Sequence, residues 1–144
     1  MSRSLSSFLA GEARPTENRR HVVSDRFVNA ETGKPEEWEY RIITAQENSA
    51  IRKGCIRTIP APGGKKGHFT QDFDATLYQA KLAVACTVFP DLNDAALQDS
   101  YKVMGAENLV MAMLLPGEFE DYSTELLEAH GFTNQGDLVD EAKN

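Results

Sequence analysis

Long hydrophobic runs are missing from this chain of 144 residues. The longest uninterrupted apolar stretch is the seven-residue run from Leu109 to Leu115, whereas a membrane-spanning helix needs about 20. The first ten residues contain one Arg and a three-residue apolar patch, so they lack the hydrophobic region of a secretory signal. We therefore expect no membrane association and a location in the cytoplasm.

Cysteine and histidine are also scarce, which argues against metal sites and nucleophilic catalysis. Cys55 and Cys86 form no CxxC motif, and neither has a histidine at ligand spacing. Cys86 lies in an apolar segment, where a cysteine behaves as a small hydrophobic residue. The three histidines, His21, His68 and His130, show no HxxxH or HxH pairing. We predict reduced, buried thiols and a protein that is not an enzyme and binds no metal or cofactor.

Basic residues are nearly absent from the second half of the chain. Residues 1–72 hold 12 Lys and Arg against 9 Asp and Glu, a net charge of +3, and residues 73–144 hold 3 against 13, a net charge of −10. Nucleic-acid binding requires clustered Lys and Arg, yet only Lys102 and Lys143 follow Asp91. The charge pattern disfavours nucleic acid and suits a basic protein partner.

The glycine-rich stretch GGKKG, residues 63–67, invites comparison with a phosphate-binding loop. It lacks the spacing of a P-loop and its terminal Lys-Ser/Thr pair, and it does not join a strand to a helix. Its flanks, residues 56–59 and 68–71, can pair as strands. A mobile hairpin tip is therefore the better interpretation than a nucleotide site.

The length and the 41% hydrophobic content predict one domain over residues 1–144. In the net basic half, residues 1–72, Trp38, Tyr40 and Ile42 alternate with polar residues beyond the turn-rich segment 29–35, which indicates an N-terminal β-hairpin. In the acidic half, residues 73–144, apolar residues fall at helical spacing. We predict an α+β, mainly helical fold: an N-terminal hairpin, with a second hairpin around residues 56–73, packed on a C-terminal bundle of short helices.

Local signals place the ends of several helices. Thr44 and Glu47 form a capping-box pattern at the start of a helix. Helical spacing begins after Asp74 and continues through Phe89, where Pro90 ends it. Asn93 or Asp94 is expected to cap a short helix that reaches about Val103. Pro116 suits the first turn of a later helix. Short helices are also expected at residues 4–11 and 135–143.

The methionine-rich run and the acidic helix after it form the candidate partner-binding region. Methionine fills irregular gaps in cores and is also common on surfaces that accept variable hydrophobic partners. A solvated acidic face and core-filling methionines are the structural alternatives, and the sequence leaves them open. The predicted contact residues are Met111, Met113, Leu114, Leu115, Glu118, Phe119, Glu120 and Asp121.

One long segment carries a family resemblance. The string KLAVACTVFPDLND at residues 81–94, followed by LQDSY at residues 97–101 and MLLPGE at residues 113–118, resembles the XkdN-like tail assembly chaperones of phages and defective prophages of Gram-positive bacteria. The resemblance implies a non-enzymatic protein without cofactors that binds the tape measure protein during tail assembly, with the tail tube protein as a second candidate partner. The alternative is a structural tail component that is retained in the virion.

Overall fold

A computed structural model describes residues 3–132, which form five α-helices and five short β-strands. The helices are α1 (Ala45–Lys53), α2 (Ala75–Cys86), α3 (Ala95–Ser100), α4 (Ala106–Met113) and α5 (Pro116–Ala129). The strands are β1 (Arg19–His21), β2 (Trp38–Tyr40), β3 (Ile56–Pro60), β4 (Phe69–Phe73) and β5 (Thr87–Phe89). Within residues 3–132, no helix is both long and apolar enough to span a membrane.

Strand β2 is the centre of a three-stranded antiparallel sheet with the order β1-β2-β5. Side chains alternate across a strand, and Trp38 and Tyr40 on one face of β2 are 1% and 0% exposed. Glu39 lies on the other face, where its carboxylate accepts a hydrogen bond from the Asn18 amide at 2.9 Å. This alternation confirms the predicted buried face at Trp38 and Tyr40, whereas Ile42 lies beyond the end of β2 and is only partly buried.

The prediction of a mainly helical fold with an N-terminal hairpin on a helical bundle is wrong, because the chain is a mixed α+β structure with two antiparallel sheets. Strand β5 is the main difference between the predicted and the observed fold. The helical spacing suggested that α2 runs to Phe89, but α2 ends at Cys86 and Thr87 is extended. Thr87, Val88 and Phe89 are β-branched or aromatic residues that favour strands, and they join β2 instead.

The predicted hairpin around residues 56–73 is confirmed as β3 and β4, which pair from Ile56 opposite Phe73 to Pro60 opposite Phe69. Most of this hairpin is exposed. Its base is attached through Phe73, whose ring lies 5.8 Å from that of Tyr78. We call residues 56–73 the β3–β4 hairpin.

The predicted starts of α1, α2, α3 and α5 are confirmed, because each depends on chemistry within one turn: a side-chain cap for the first three and a proline for α5. Thr44 and Glu47 form the capping box of α1. Asp74 and Asp94 accept hydrogen bonds from backbone amides at the starts of α2 and α3. Pro116 occupies the first turn of α5.

The N-terminal helix predicted at residues 4–11 is shorter in the structure, where a 3-10 turn covers Ser6–Phe8. Its apolar side chains, Leu5, Phe8 and Leu9, are all exposed, so this segment does not pack on the core. The helix predicted at residues 135–143 lies outside the described residues.

Sheet and helices enclose one cluster of buried residues drawn from Val23 to Leu127. At its centre Tyr122 of α5 meets the sheet: its ring lies edge-on to Trp38 at 5.4 Å and to Tyr40 at 6.2 Å. The Tyr122 hydroxyl is 2.7 Å from the Thr87 hydroxyl on β5. Tyr122 therefore connects two strands of the sheet to α5.

Candidate functional site

The structure divides the predicted contact residues by accessibility. Met111, Leu115, Glu120 and Asp121 are exposed, and Glu118 is intermediate. Met113, Leu114 and Phe119 are buried. A partner that binds the folded domain can therefore contact the exposed members, while the buried members belong to the core.

Helical geometry explains this division on α4. The buried side consists of Ala106, Leu109, Val110 and Met113, which repeat at the spacing of one helix face. Met111 points to the opposite side and is 47% exposed, and Leu115, in the connection to α5, is 52% exposed. The apolar run thus supplies both a core face and an exposed face.

Met104 was not among the predicted contact residues, yet it is 86% exposed, more than any other large apolar residue in the described chain. It precedes Gly105, whose φ of +92° turns the chain into α4. The Asn108 side-chain amide donates to the Met104 carbonyl at 2.8 Å and holds it beside the first turn. Because Met104 lies outside the helices, no periodicity could predict its exposure. We call Met104, Met111 and Leu115 the methionine surface.

Glu118 fixes the connection between α4 and α5. Its carboxylate accepts a hydrogen bond from the Leu115 amide at 2.8 Å and lies 3.7 Å from the Arg26 guanidinium. The Ser24 hydroxyl and then the Leu115 amide hold the pKa of the Glu118 carboxyl below its usual value of 4.5. Arg26 also donates to the Met113 carbonyl. Glu118 therefore has a structural role beside the methionine surface.

The lowered pKa of Glu118 predicts a pH-dependent contribution to stability. Because the folded state prefers the carboxylate, the contribution is complete above the usual carboxyl pKa of 4.5 and is lost as the pH falls through the folded-state pKa. We expect Glu118→Gln to lower the free energy of unfolding at pH 7 and to have a smaller effect at pH 3. Urea titrations of both proteins measure this. Equal losses at both pH values would contradict the assignment, and Glu12→Gln in the exposed N-terminal segment is the control.

An acidic groove runs along α5, with a volume of about 410 Å³. It is lined by His21, Val22, Val23, Asp121, Thr124, Glu125 and Glu128. Glu125 accepts a hydrogen bond from the Tyr40 hydroxyl at 2.5 Å and lies 3.8 Å from His21 Nδ1. Burial, and then the neighbouring Glu125, raise the pKa of Tyr40 to about 12, so the phenol remains a donor at neutral pH.

Folding brings Cys86 and His130 together, although they are far apart in the sequence: Cys86 Sγ lies 4.0 Å from His130 Nε2. A cysteine nucleophile needs a thiolate and an available base. His130 Nε2 instead accepts a hydrogen bond from the Ile43 amide at 3.0 Å, and Nδ1 lies 2.7 Å from the Leu126 carbonyl, to which it donates. Burial raises the pKa of Cys86 to about 12. The pair therefore connects α5 to the chain after β2 and is not arranged as a catalytic dyad.

This arrangement predicts unreactive thiols in the folded protein. Cys86 and Cys55 are both buried, and burial raises the pKa of both. We expect each to react with a disulfide reagent at pH 8 at least about 100-fold more slowly than an exposed peptide thiol. Unfolding in urea should restore the ordinary rate, which is the internal control. Native Cys86 reacting as fast as the peptide would show that His130 activates it.

The described residues offer no group of three or more His, Cys, Asp or Glu that could hold a metal ion. The accessible features of this region are the methionine surface, the exposed acids Glu120 and Asp121, and the acidic groove.

The whole chain is similar in sequence and in fold to known proteins. Residues 5–143 match the family described as phage XkdN-like tail assembly chaperone protein. Two proteins of Bacillus subtilis (strain 168), the phage-like element PBSX protein XkdN and the uncharacterized protein YqbN, are each 26% identical over 97% of this chain and 93% of their own length. The crystal structure of YqbN has a similar fold, with a TM-score of 0.73 and 22% identity over 92% of this chain and 99% of that one. The chain belongs to the XkdN-like family of phage tail assembly chaperones.

Proposed function

We propose that the chain binds the tape measure protein in the cytoplasm of the bacterial host while the phage tail is assembled, and that the methionine surface is the principal contact. The observation that carries the proposal is the exposure of Met104, Met111 and Leu115, at 86%, 47% and 52%, in a tail assembly chaperone. Exposed large apolar side chains rimmed by polar residues are typical of protein-binding surfaces, and these three lie on α4 and close to its two ends.

The chemistry of the surface suits a helical, basic partner. Methionine side chains are flexible and polarisable, so they adapt to different hydrophobic partners. Glu120 and Asp121 in the first two turns of α5 are exposed, and Asp121 also lines the acidic groove. Both carboxylates attract Lys and Arg. An amphipathic helix with apolar residues on one side and basic residues at the margins would satisfy both features. The net charge of −7 would also help to keep a complex soluble.

Co-expression with the tape measure protein encoded in the same genome tests the proposal. We expect the soluble fraction of the tape measure protein to rise and the two proteins to co-purify. A tape measure protein that is as insoluble with this chain as without it would refute the proposal. Mass spectrometry of purified particles tests the alternative, because a structural tail component would be present in stoichiometric amounts.

A further inference from the structure

We propose that the β3–β4 hairpin is a second docking surface, which takes an extended acidic segment of another protein as an added strand along the free edge of β4. This surface and its partner chemistry differ from those of the methionine surface. The proposal therefore does not depend on tape measure binding.

The hairpin exposes large apolar side chains and has no third strand. Phe69 is 64% exposed and Ile56 is 47% exposed, and no other strand of the described chain borders either edge. An isolated two-stranded hairpin is marginally stable in water, and additional strands stabilise it. A third strand would cover these apolar side chains.

The hydrogen-bond pattern identifies the available edge. Asp74 donates to the Cys55 carbonyl at 2.8 Å, and Ala61 donates to the His68 carbonyl at 3.0 Å. In an antiparallel pair, successive residues of a strand form their backbone hydrogen bonds alternately toward the partner strand and away from it. Since residues 74 and 68 bond toward β3, the alternate residues Phe69 and Gln71 direct their N–H and C=O groups away from β3.

The edge of β3 is less suitable. Thr58 and Pro60 occupy its outward positions by the same alternation, and Pro60 has no N–H to donate. Proline at this position is a common way to prevent pairing on an edge strand. The edge of β4 therefore offers the more complete set of donors and acceptors.

The net positive charge of the hairpin favours an acidic partner. Residues 56–73 contain three basic residues, Arg57, Lys65 and Lys66, and one acidic residue, Asp72. Arg57 is paired with Asp72 at 2.8 Å, whereas Lys65 and Lys66 at the tip form no ion pair in the described part of the chain. Two such basic hairpins would repel each other, which disfavours pairing with a second copy, and an acidic segment would be attracted.

A peptide titration followed by NMR tests this proposal with the full chain. The probe is an eight-residue peptide in which Val and Thr alternate with Glu, and the control peptide has Lys in place of Glu. We expect the acidic peptide to shift the Phe69 and Gln71 amide signals and to bind at least about 10-fold more tightly than the Lys peptide. Equal affinity of the two peptides, or shifts confined to α5, would overturn the proposal.

Matched variants locate the edge. Gln71→Pro removes an outward N–H from β4, and Thr58→Pro removes the corresponding N–H from β3. We expect only Gln71→Pro to abolish binding, with Ile59 and Thr70 amides still protected from exchange in both variants. Lys65→Glu with Lys66→Glu leaves the ladder intact and should weaken binding about 10-fold. Binding that survives Gln71→Pro or the Lys variants, or a dimer in sedimentation that Gln71→Pro removes, would refute the acidic strand.

Discussion

Replacement of Tyr122 by alanine is expected to lower the free energy of unfolding by about 3–5 kcal/mol, in the range of other buried aromatic truncations. Tyr122 is 1% exposed, and its ring contacts Trp38 and Tyr40 on the central strand. Its hydroxyl bonds to Thr87 on β5 at 2.7 Å. The truncation would leave a cavity where α5 meets the three-stranded sheet.

Tyr122→Phe separates the ring from the hydroxyl. It keeps the aromatic packing and removes the hydrogen bond to Thr87, so we expect a loss of about 1 kcal/mol. Urea unfolding followed by tryptophan fluorescence reports on both variants, because Trp38 is the only tryptophan and lies beside Tyr122. A loss of less than about 1 kcal/mol for Tyr122→Ala would show that this junction does not hold the fold together.

Local chemistry explains which parts of the fold could be predicted from the sequence. The capping box at Thr44, the cap at Asp94 and the proline that begins α5 act within one turn. The β3–β4 hairpin is also local, because its strands are adjacent in sequence. Strand β5 could not be predicted in this way, because Val88 and Phe89 also continue the helical spacing of α2. Pairing with the distant strand β2 selects the extended conformation that their side chains favour.

In the candidate site, too, the sequence could predict local features but not contacts between residues that are far apart in the chain. Helical periodicity separates Met111 from Met113 on α4. Leu114 and Phe119 are buried at the connection where Arg26 contacts the Met113 carbonyl and Glu118, and this tertiary arrangement leaves no local signal. The Cys86–His130 contact could not be predicted from the sequence either, since its two residues come from α2 and the end of α5.

Substitution of Met111 and Leu115 together by aspartate is expected to weaken binding to the tape measure protein by about 100-fold, because each removes an exposed apolar contact worth about 1–2 kcal/mol. The fold should persist, with a change in unfolding free energy within about 0.5 kcal/mol for each surface position. Met113→Asp is the matched control from the same helix. It places a charge at a position that is 4% exposed, so we expect it to unfold the domain.

This double variant also separates apolar contact from electrostatic attraction. Aspartate adds negative charge to a region that already carries Glu120 and Asp121, so a basic partner held mainly by charge would bind more tightly to the variant. A partner held by the methionine surface would bind more weakly despite the added charge. Glu120→Lys with Asp121→Lys provides the complementary measurement, because it reverses the charge and leaves Met111 and Leu115 unchanged. Fluorescence anisotropy with a labelled, soluble tape measure fragment, measured at two salt concentrations, distinguishes the two contributions. Unchanged affinity of Met111→Asp/Leu115→Asp would mean that the partner binds elsewhere on the domain.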